Sequence, residues 1–132
     1  MISGGVGMRI RGLQAPGVKA EADGYSPGVV ADGQRWLFLS GQVPQDLDAD
    51  IRTQIRQVFE QTKKLLDAGG ATWEDVVMVR AYFLHLERDL PVFREVRREF
   101  LEPPYPAATV VGVSALAGEG LQVEMEAVAV VD

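Results

Sequence analysis

Two stretches with helical periodicity, separated by an apolar strand, constrain the fold of this chain more than any other feature. The first, residues 51–66, places apolar residues three and four positions apart, which is the pattern of a helix buried on one side. We expect Asp89 to cap the second helix, with Pro91 in its first turn and Pro103-Pro104 at its end. A helix with a single apolar stripe packs against another layer. Both helices should therefore lie on the same face of a sheet.

The first helix has recognisable ends. Asp48 or Asp50 can cap its N-terminus, and Gly69-Gly70 provides the left-handed conformation that commonly ends a helix. Residues 72–75 follow as a capped single turn.

The dipeptide Asp32-Gly33 lies between two apolar runs and predicts a hairpin. Both residues tolerate the positive φ of a type I′ turn, so residues 29–31 and 35–40 should pair. The second run is apolar on both faces from Trp36 to Leu39, which favours a central strand. Residues 76–84 are nearly as continuously apolar and predict another long strand.

The stretch from Tyr105 to Val113 has the composition of a buried strand. Pro104 and Pro106 end whatever precedes it because proline cannot donate to a helix or a ladder, and β-branched residues follow. The last strand, residues 121–131, alternates between two faces.

The order of elements, β-β-α-β-α-β-β, predicts an α+β two-layer domain of five or six strands. The face without helices keeps many apolar side chains, so a subunit partner is the simplest cover for it.

Composition limits the class of protein. The 132 residues suit one domain, residues 1–132, with a weakly patterned N-terminal segment 1–14. A net charge of −6 argues against nucleic-acid binding, which depends on Lys and Arg. No apolar run approaches the roughly 20 residues that span a bilayer, and no signal peptide is evident, so we expect a cytoplasmic protein without a membrane partner. The absence of cysteine excludes disulfides, thiolate catalysis and cysteine-ligated metal.

Few residues carry an obvious chemical signal. His85 is the only histidine, and neither a nucleophile elbow nor a phosphate-binding loop occurs. Glu124 and Glu126 lie two residues apart and share one face of the last strand. A buried glutamate can transfer protons near neutrality, whereas two solvated glutamates on an edge strand would have no such role. Tyr25 lies between turn residues, and Ser40-Gly41 at a strand end forms either a ligand rim or a turn.

Six short motifs in register resemble the Rid family, also called YjgF/YER057c/UK114. They are Ala15-Pro16, Gly24-Tyr25-Ser26-Pro27-Gly28-Val29, Ser40-Gly41-Gln42-Val43-Pro44, Ala68-Gly69-Gly70, Tyr105-Pro106-Ala107 and Val123-Glu124-Met125-Glu126-Ala127-Val128-Ala129-Val130. The resemblance covers residues 13–131. It implies a chorismate-mutase-like fold, a mixed sheet with two helices on one face, that forms a homotrimer with three clefts between subunits.

The resemblance also implies an activity. The best-known branch hydrolyses enamines and imines to 2-oxo acids and ammonia without metal or cofactor. Its Pro-Ala-Arg motif, whose arginine binds the substrate carboxylate in a bidentate manner, reads Pro106-Ala107-Ala108 here. Tyr25 matches a tyrosine that lines the cleft, and Glu124 matches the glutamate that holds a water. The resemblance thus implies that Glu124 is the catalytic residue. The substrate-binding residues that it implies are Tyr25, Ser40, Gly41, Ala108, Thr109 and Val110. Of these, Gly41 and Val110 would turn their backbone N–H groups toward the ligand.

Two hypotheses follow from the altered motif. The first is a deaminase-type hydrolase that acts on a different, less anionic small enamine, imine or related molecule. The second is a non-catalytic trimer that binds a small metabolite as a sensor or regulator. Ribonuclease activity, attached to some relatives, is disfavoured by the acidic composition. Arg80 or an arginine of the N-terminal segment remains open as a replacement for the missing charge.

Overall fold

The computed structural model describes residues 2–3, 9–18 and 24–132, so the N-terminal segment 1–14 falls partly outside it. The strands are β1 Ile2–Ser3, β2 Ile10–Leu13, β3 Gly28–Ala31, β4 Arg35–Gln42, β5 Val76–Phe83, β6 Ala107–Gly112 and β7 Val123–Val131. The helices are α1 Ile51–Ala68 and α2 Leu86–Phe100, and a short 3₁₀ helix spans Trp73–Asp75.

The strands form two sheets. The main sheet has four strands in the order β4-β7-β5-β6, with β7 antiparallel to both neighbours and β5 parallel to β6. A smaller antiparallel sheet has the order β1-β2-β3, and a bridge between Ser26 and Ala107 links its end to β6. Both helices pack on one face of the main sheet around a shared core. The predicted α+β architecture is confirmed, although the strands divide between two sheets.

The ends of α1 are formed as the sequence predicts. Asp50 is the N-cap, and its carboxylate accepts a hydrogen bond of 2.7 Å from the Thr53 N–H. At the other end Gly70 has a φ of +74°, which suits glycine. Thr72 and Asp75 form the predicted capping box of the 3₁₀ helix.

The start of α2 differs from the prediction. The helix begins at Leu86, with the exposed His85 at the N-cap position, so Asp89 lies inside it. The Asp89 carboxylate is buried and accepts hydrogen bonds of 2.8 and 3.0 Å from the Arg88 guanidinium. Asp89 is therefore not the N-cap, and Pro91 lies inside the helix rather than in its first turn, because the helix starts three residues before Asp89.

The predicted hairpin at Asp32-Gly33 is wrong. β3 pairs with β2, whereas β4 pairs with β7 in the other sheet. Gly33 does not have a positive φ, but a Cβ atom there would lie 2.6 Å from Cγ1 of Val130. Glycine at this position therefore allows the chain to cross closely over β7 as it passes from one sheet to the other.

The strand predicted to be central, β4, and the strand predicted to be buried, β6, are both edge strands. β4 and β6 end the main sheet on either side, and β5 and β7 lie between them. Trp36 and Phe38 of β4 are 60% and 73% exposed, and most of β6 is partly or fully exposed. Apolar residues on both faces predict burial of both faces, but they do not tell whether a strand has one neighbour or two.

The central strand β7 alternates as predicted. Its helix-facing side chains are buried: Val123, Met125, Ala127 and Ala129. They pack with an aromatic cluster in which the Phe59 and Phe100 rings stack with their centroids 4.8 Å apart.

Neither helix in the described part of the chain is long and apolar enough to cross a membrane.

The opposite side of the main sheet is called the helix-distal face here. Strand alternation and register assign to it Trp36, Phe38, Ser40, Met78, Arg80, Tyr82, Ala107, Thr109, Val111, Glu124, Glu126 and Val128. It is apolar at one end, where Trp36 and Phe38 stack at 6.1 Å, and polar in its middle.

Candidate functional site

The polar part of the helix-distal face is formed by two neighbouring strands. On β5, Arg80 registers with Glu126 of β7, and Tyr82 registers with Glu124. Residues that face each other on neighbouring antiparallel strands have Cβ atoms about 4.5–5.5 Å apart, so these four side chains form one group. The two glutamates lie on an interior strand and are partly buried, which contradicts the alternative of a solvated edge strand.

A β-bulge adjoins this group. Leu39 pairs with Ala127 and Gln42 pairs with Met125, so Ser40 and Gly41 together oppose the single residue Glu126. Such bulges bend a strand and redirect its side chains, and they are common beside active sites. This bulge brings the backbone of Gly41 against the side chain of Glu124.

Gly41 has no space for a side chain. A Cβ atom built on it would lie 2.7 Å from both Cδ and Oε2 of Glu124. The Glu124 carboxylate therefore rests over the backbone of the bulge. The structure thus brings together three of the residues that the sequence assigns to the site: Ser40, Gly41 and Glu124.

Tyr82 is the member of this group that sequence reasoning missed. Its hydroxyl donates to Oε1 of Glu126. This hydrogen bond is the main cause that raises the pKa of Tyr82 above its ordinary value of 10.0, and desolvation by burial adds to it. The alternation of β5 could have revealed Tyr82, because it lies two residues from Arg80 and so shares its face. The nearly continuous apolar run obscured that signal.

Tyr25 lies elsewhere, at the open edge of β6. The neighbouring Ser26 donates from its N–H to the Pro106 carbonyl at 3.0 Å and from its hydroxyl to the Tyr105 carbonyl. These bonds hold the loop that carries Tyr25 beside Ala107 and Ala108.

The backbone of β6 also presents polar groups at this edge. The Val113 N–H donates to the Phe83 carbonyl of β5 at 2.9 Å. Because amide direction alternates along a strand, the Val110 N–H points away from β5, toward the open edge of the sheet. Thr109 projects from the helix-distal face and is exposed, whereas Val110 packs toward the core.

The residues assigned to one site thus form two groups within a single protomer. Ala108 registers with the buried Val79, so it lies on the helix side of the sheet, opposite Glu124. Two strand spacings and three residues separate the Cα atoms of Glu124 and Ala108, about 14 Å by standard strand dimensions. Within one chain Glu124 therefore points away from the pair formed by Tyr25 and Ala108.

A groove of about 460 Å³ lies on the helix-distal face between β3 and the main sheet. Trp36, Met78, Ala107 and Val130 contribute to its lining, and neither Glu124 nor Tyr25 does. The lining of the groove is largely apolar and contains no acid–base group.

The fold and this face define a class of protein, an α+β domain whose helices cover one side of a mixed sheet and whose other side combines apolar and acidic residues. Residues 14–131 match the family model described as Endoribonuclease L-PSP. The chain belongs to this family, which includes the Rid, or YjgF/YER057c/UK114, proteins. The family predicted from the sequence is confirmed.

Three relatives illustrate the similarity. A 2-iminobutanoate/2-iminopropanoate deaminase of Dermatophagoides farinae is 31% identical over 73% of this chain and 78% of its own length. The Rid family protein YyfB of Yersinia pestis, whose function is unknown, is 30% identical with a TM-score of 0.83, over 94% of this chain and all of that chain. A YjgF/YER057c/UK114 family member of Mycobacterium tuberculosis is 32% identical with a TM-score of 0.68, over 82% of this chain and 87% of that one.

Proposed function

We propose that this protein is a deaminase-type hydrolase that acts on a small imine, enamine or related reactive metabolite, without a cofactor. The contact between Gly41 and Glu124 carries the proposal, because a partly buried carboxylate is held at a fixed place beside a β-bulge. The deaminase name of the relative from Dermatophagoides farinae supports the reaction class.

The chemistry requires one carboxylate and one water. Glu124 accepts a proton from a water molecule as the water oxygen attacks the carbon of the C=N bond, and this proton passes to the nitrogen to give a carbinolamine. Glu124 then takes the hydroxyl proton of the carbinolamine and delivers it to the nitrogen as the C–N bond breaks, so that ammonia and a carbonyl product leave. An enamine enters the same sequence once its carbon has been protonated to give the imine.

The site is completed in an assembly of three identical chains. Trp36 and Phe38 are large, stacked and exposed, which is unusual for a side of a sheet that faces water. A second copy that covers this face would also bring its own β6 edge, with Tyr25 and Ala108, toward Glu124. This arrangement accounts for the separation of the two groups within one protomer, and it makes the cleft a property of the homotrimer.

Specificity differs from that of relatives with arginine at the position of Ala108. A methyl group provides no hydrogen-bond donor, so the carboxylate contact implied by the family motif is lost there. The substrate is recognised by another group or lacks a carboxylate. Ribonuclease activity receives no support from a chain with a net charge of −6.

A binding protein without catalysis is the second candidate, and the opposite orientation of Glu124 and Ala108 in one chain favours it. Catalysis requires Glu124 beside the ligand, whereas binding alone does not. Substitution of this carboxylate therefore distinguishes the two functions.

The test is ammonia release from imines generated in the assay by an amino-acid oxidase or an amine oxidase. The variant is Glu124→Gln, and Glu119→Gln, an exposed carboxylate in a turn, is the matched control. We expect the Glu124→Gln rate to fall at least about 100-fold, as for the loss of a general base, with Glu119→Gln unchanged. If the wild type does not exceed the uncatalysed rate with any of these imines but binds their carbonyl products, the protein is a binding module.

A further inference from the structure

We infer that Arg97 is a positioning residue of the cleft: its guanidinium holds the backbone of Gly24 and thereby fixes the loop that carries Tyr25. The inference rests on the proposed function, because it concerns how Tyr25 is presented to a ligand in the same cleft. Arg97 belongs to α2, whereas the residues assigned to the site lie on strands or in the loop before β3. No signal in the sequence connects the two regions, but the fold brings them into contact.

Arg97 has an unusual environment for a charged residue. It is 6% exposed and lies on the buried side of α2, one turn after Phe93. Arginine is seldom buried to this extent, because removing a guanidinium from water is costly. Cζ of Arg97 lies 5.5 Å from the centroid of the Phe93 ring, whose face attracts a cation. The ring itself packs against Phe59 and Phe83 in the core, so the guanidinium rests on a rigid support.

The backbone of Gly24 packs directly against this side chain. A Cβ atom on Gly24 would lie 2.2 Å from Nε and 2.8 Å from Cζ of Arg97. Gly24 is buried and has a φ of +86°, a conformation that favours glycine. Position 24 therefore requires glycine both for its conformation and for the space that the guanidinium occupies. The buried arginine and the glycine are two parts of one contact.

Tyr25 lies between two residues that are held in place. Arg97 packs on Gly24 on one side, and on the other side Ser26 is 2% exposed. The Ser26 N–H donates to the Pro106 carbonyl at 3.0 Å. Tyr25 itself is only half-buried, so the backbone on either side sets where its ring lies. Ordering this backbone before the ligand arrives removes an entropic cost from the binding step.

Loss of the Arg97 guanidinium should weaken substrate binding and leave the chemical step unchanged. The Glu124 carboxylate and the bulge at Gly41 belong to β7 and β4, whereas the Tyr25 loop lies beside β6. An interaction made equally with the substrate and with the transition state affects KM and not kcat. We therefore expect Arg97→Met to raise KM about tenfold while kcat stays within about twofold of the wild type. A merely structural defect would instead lower kcat by reducing the amount of folded protein.

Amide hydrogen exchange followed by NMR tests the contact without relying on catalysis. Arg97→Met keeps an unbranched side chain and removes the guanidinium, and Arg94→Gln is the control at an exposed arginine of the same helix. We expect the Ser26 N–H to exchange at least about tenfold faster in Arg97→Met. The Val113 N–H, which is bonded to β5, should keep its rate. Arg97→Lys retains a cation and should restore part of the protection, and Arg94→Gln should match the wild type.

Gly24→Ala tests the same contact from the other side. Gly17→Ala is its matched control, because Gly17 has a φ of +80° but no described atom lies within 4 Å of a Cβ placed there. The control thus carries the same backbone strain without the contact. Gly24→Ala should raise exchange at Ser26 as Arg97→Met does, and Gly17→Ala should not. The two changes should not add in a double variant, since both break one contact.

The outcomes separate this inference from the proposed function. Faster exchange confined to Ser26, together with a higher KM at constant kcat, supports the positioning role. If the wild type hydrolyses no imine, the Kd for 2-oxobutanoate, the carbonyl product of a four-carbon 2-imino acid, replaces KM. A higher Kd in Arg97→Met then supports the role, and only the hydrolase proposal fails. Unchanged exchange at Ser26, an equal rise at Val113, or a KM and Kd like those of the wild type overturns the inference.

Discussion

A Cβ atom on Gly41 would lie 2.7 Å from Oε2 of Glu124, so these two residues fit together only because position 41 is glycine. The bulge at Ser40-Gly41 brings the two into contact, although they are far apart in sequence. The position of the Glu124 carboxylate therefore depends on the backbone of β4 as well as on its own strand.

Gly41→Ala should displace the Glu124 carboxylate. The atoms nearest to the new methyl group belong to the flexible end of a side chain, so we expect a change of about 1 kcal/mol or less in the free energy of unfolding. Ammonia release should nevertheless fall about as far as in Glu124→Gln. Urea denaturation and the imine assay measure the two effects.

Gly112→Ala is the matched control for Gly41→Ala. Gly112 also lies on an edge strand, and its nearest neighbour would be Cβ of Leu86 at 3.3 Å, away from Glu124. Its activity should stay near that of the wild type. Full activity in Gly41→Ala would show that ammonia release does not depend on the position of the Glu124 carboxylate.

Phe38→Glu should dissociate the assembly. Phe38 is 73% exposed in the single chain, so a carboxylate there leaves the protomer fold intact but introduces a charge into the covered face. Light scattering with size-exclusion chromatography should give three times the chain mass for the wild type and the mass of one chain for the variant.

Val18→Glu is the control for the assembly, because Val18 is a 56% exposed apolar residue in the loop after β2 and belongs to no strand. It should retain the wild-type mass. A wild-type protein that elutes as a monomer would contradict the composite cleft, and so would a Phe38→Glu variant that keeps three copies.

The cap of α1 predicts a pH dependence. The hydrogen bond from the Thr53 N–H lowers the pKa of Asp50 below its ordinary value of 3.8. Because the folded pKa is lowered, the stabilisation is complete above 3.8 and is lost as the pH falls toward the folded pKa. Between about pH 5 and about pH 2, the free energy of unfolding should fall more steeply for the wild type than for Asp50→Asn.

Asparagine still caps a helix but does not titrate, so Asp50→Asn isolates the charge. Urea denaturation at a series of pH values gives the difference between the two proteins. Parallel curves would mean that Asp50 has the same pKa in the folded and unfolded chains.

The elements that local sequence determines were predictable. Asp50 and the glycines after α1 satisfy backbone groups within a few residues, and the alternation of β7 identifies its buried face without knowledge of its neighbours. The resemblance of the short motifs then identified the family correctly.

The pairing of distant strands was not predictable in the same way. Asp32-Gly33 has the sequence of a hairpin turn, but the close approach to Val130 and the hydrogen bond from the Gln34 N–H to the Val131 carbonyl bind this segment to β7 instead. The edge position of β4 follows from that pairing. Its exposed aromatics could not be distinguished from core residues by their type.

The candidate site was predictable only in part. Glu124 and Gly41 were assigned through the resemblance, but their contact depends on a bulge between β4 and β7 that no local signal marks. The separation of Ala108 from Glu124 depends on strand register, where a shift of one residue reverses the face. Tyr82 was hidden in a run whose apolar residues dominate the pattern.

A crystal structure of the assembled protein with 2-oxobutanoate would locate the ligand relative to Glu124. We expect the carbonyl carbon of the ligand to face a water held by Glu124, with Tyr25 of a neighbouring copy closing the cleft. A ligand bound between Tyr25 and Ala108, with Glu124 directed elsewhere, would contradict the catalytic role of Glu124.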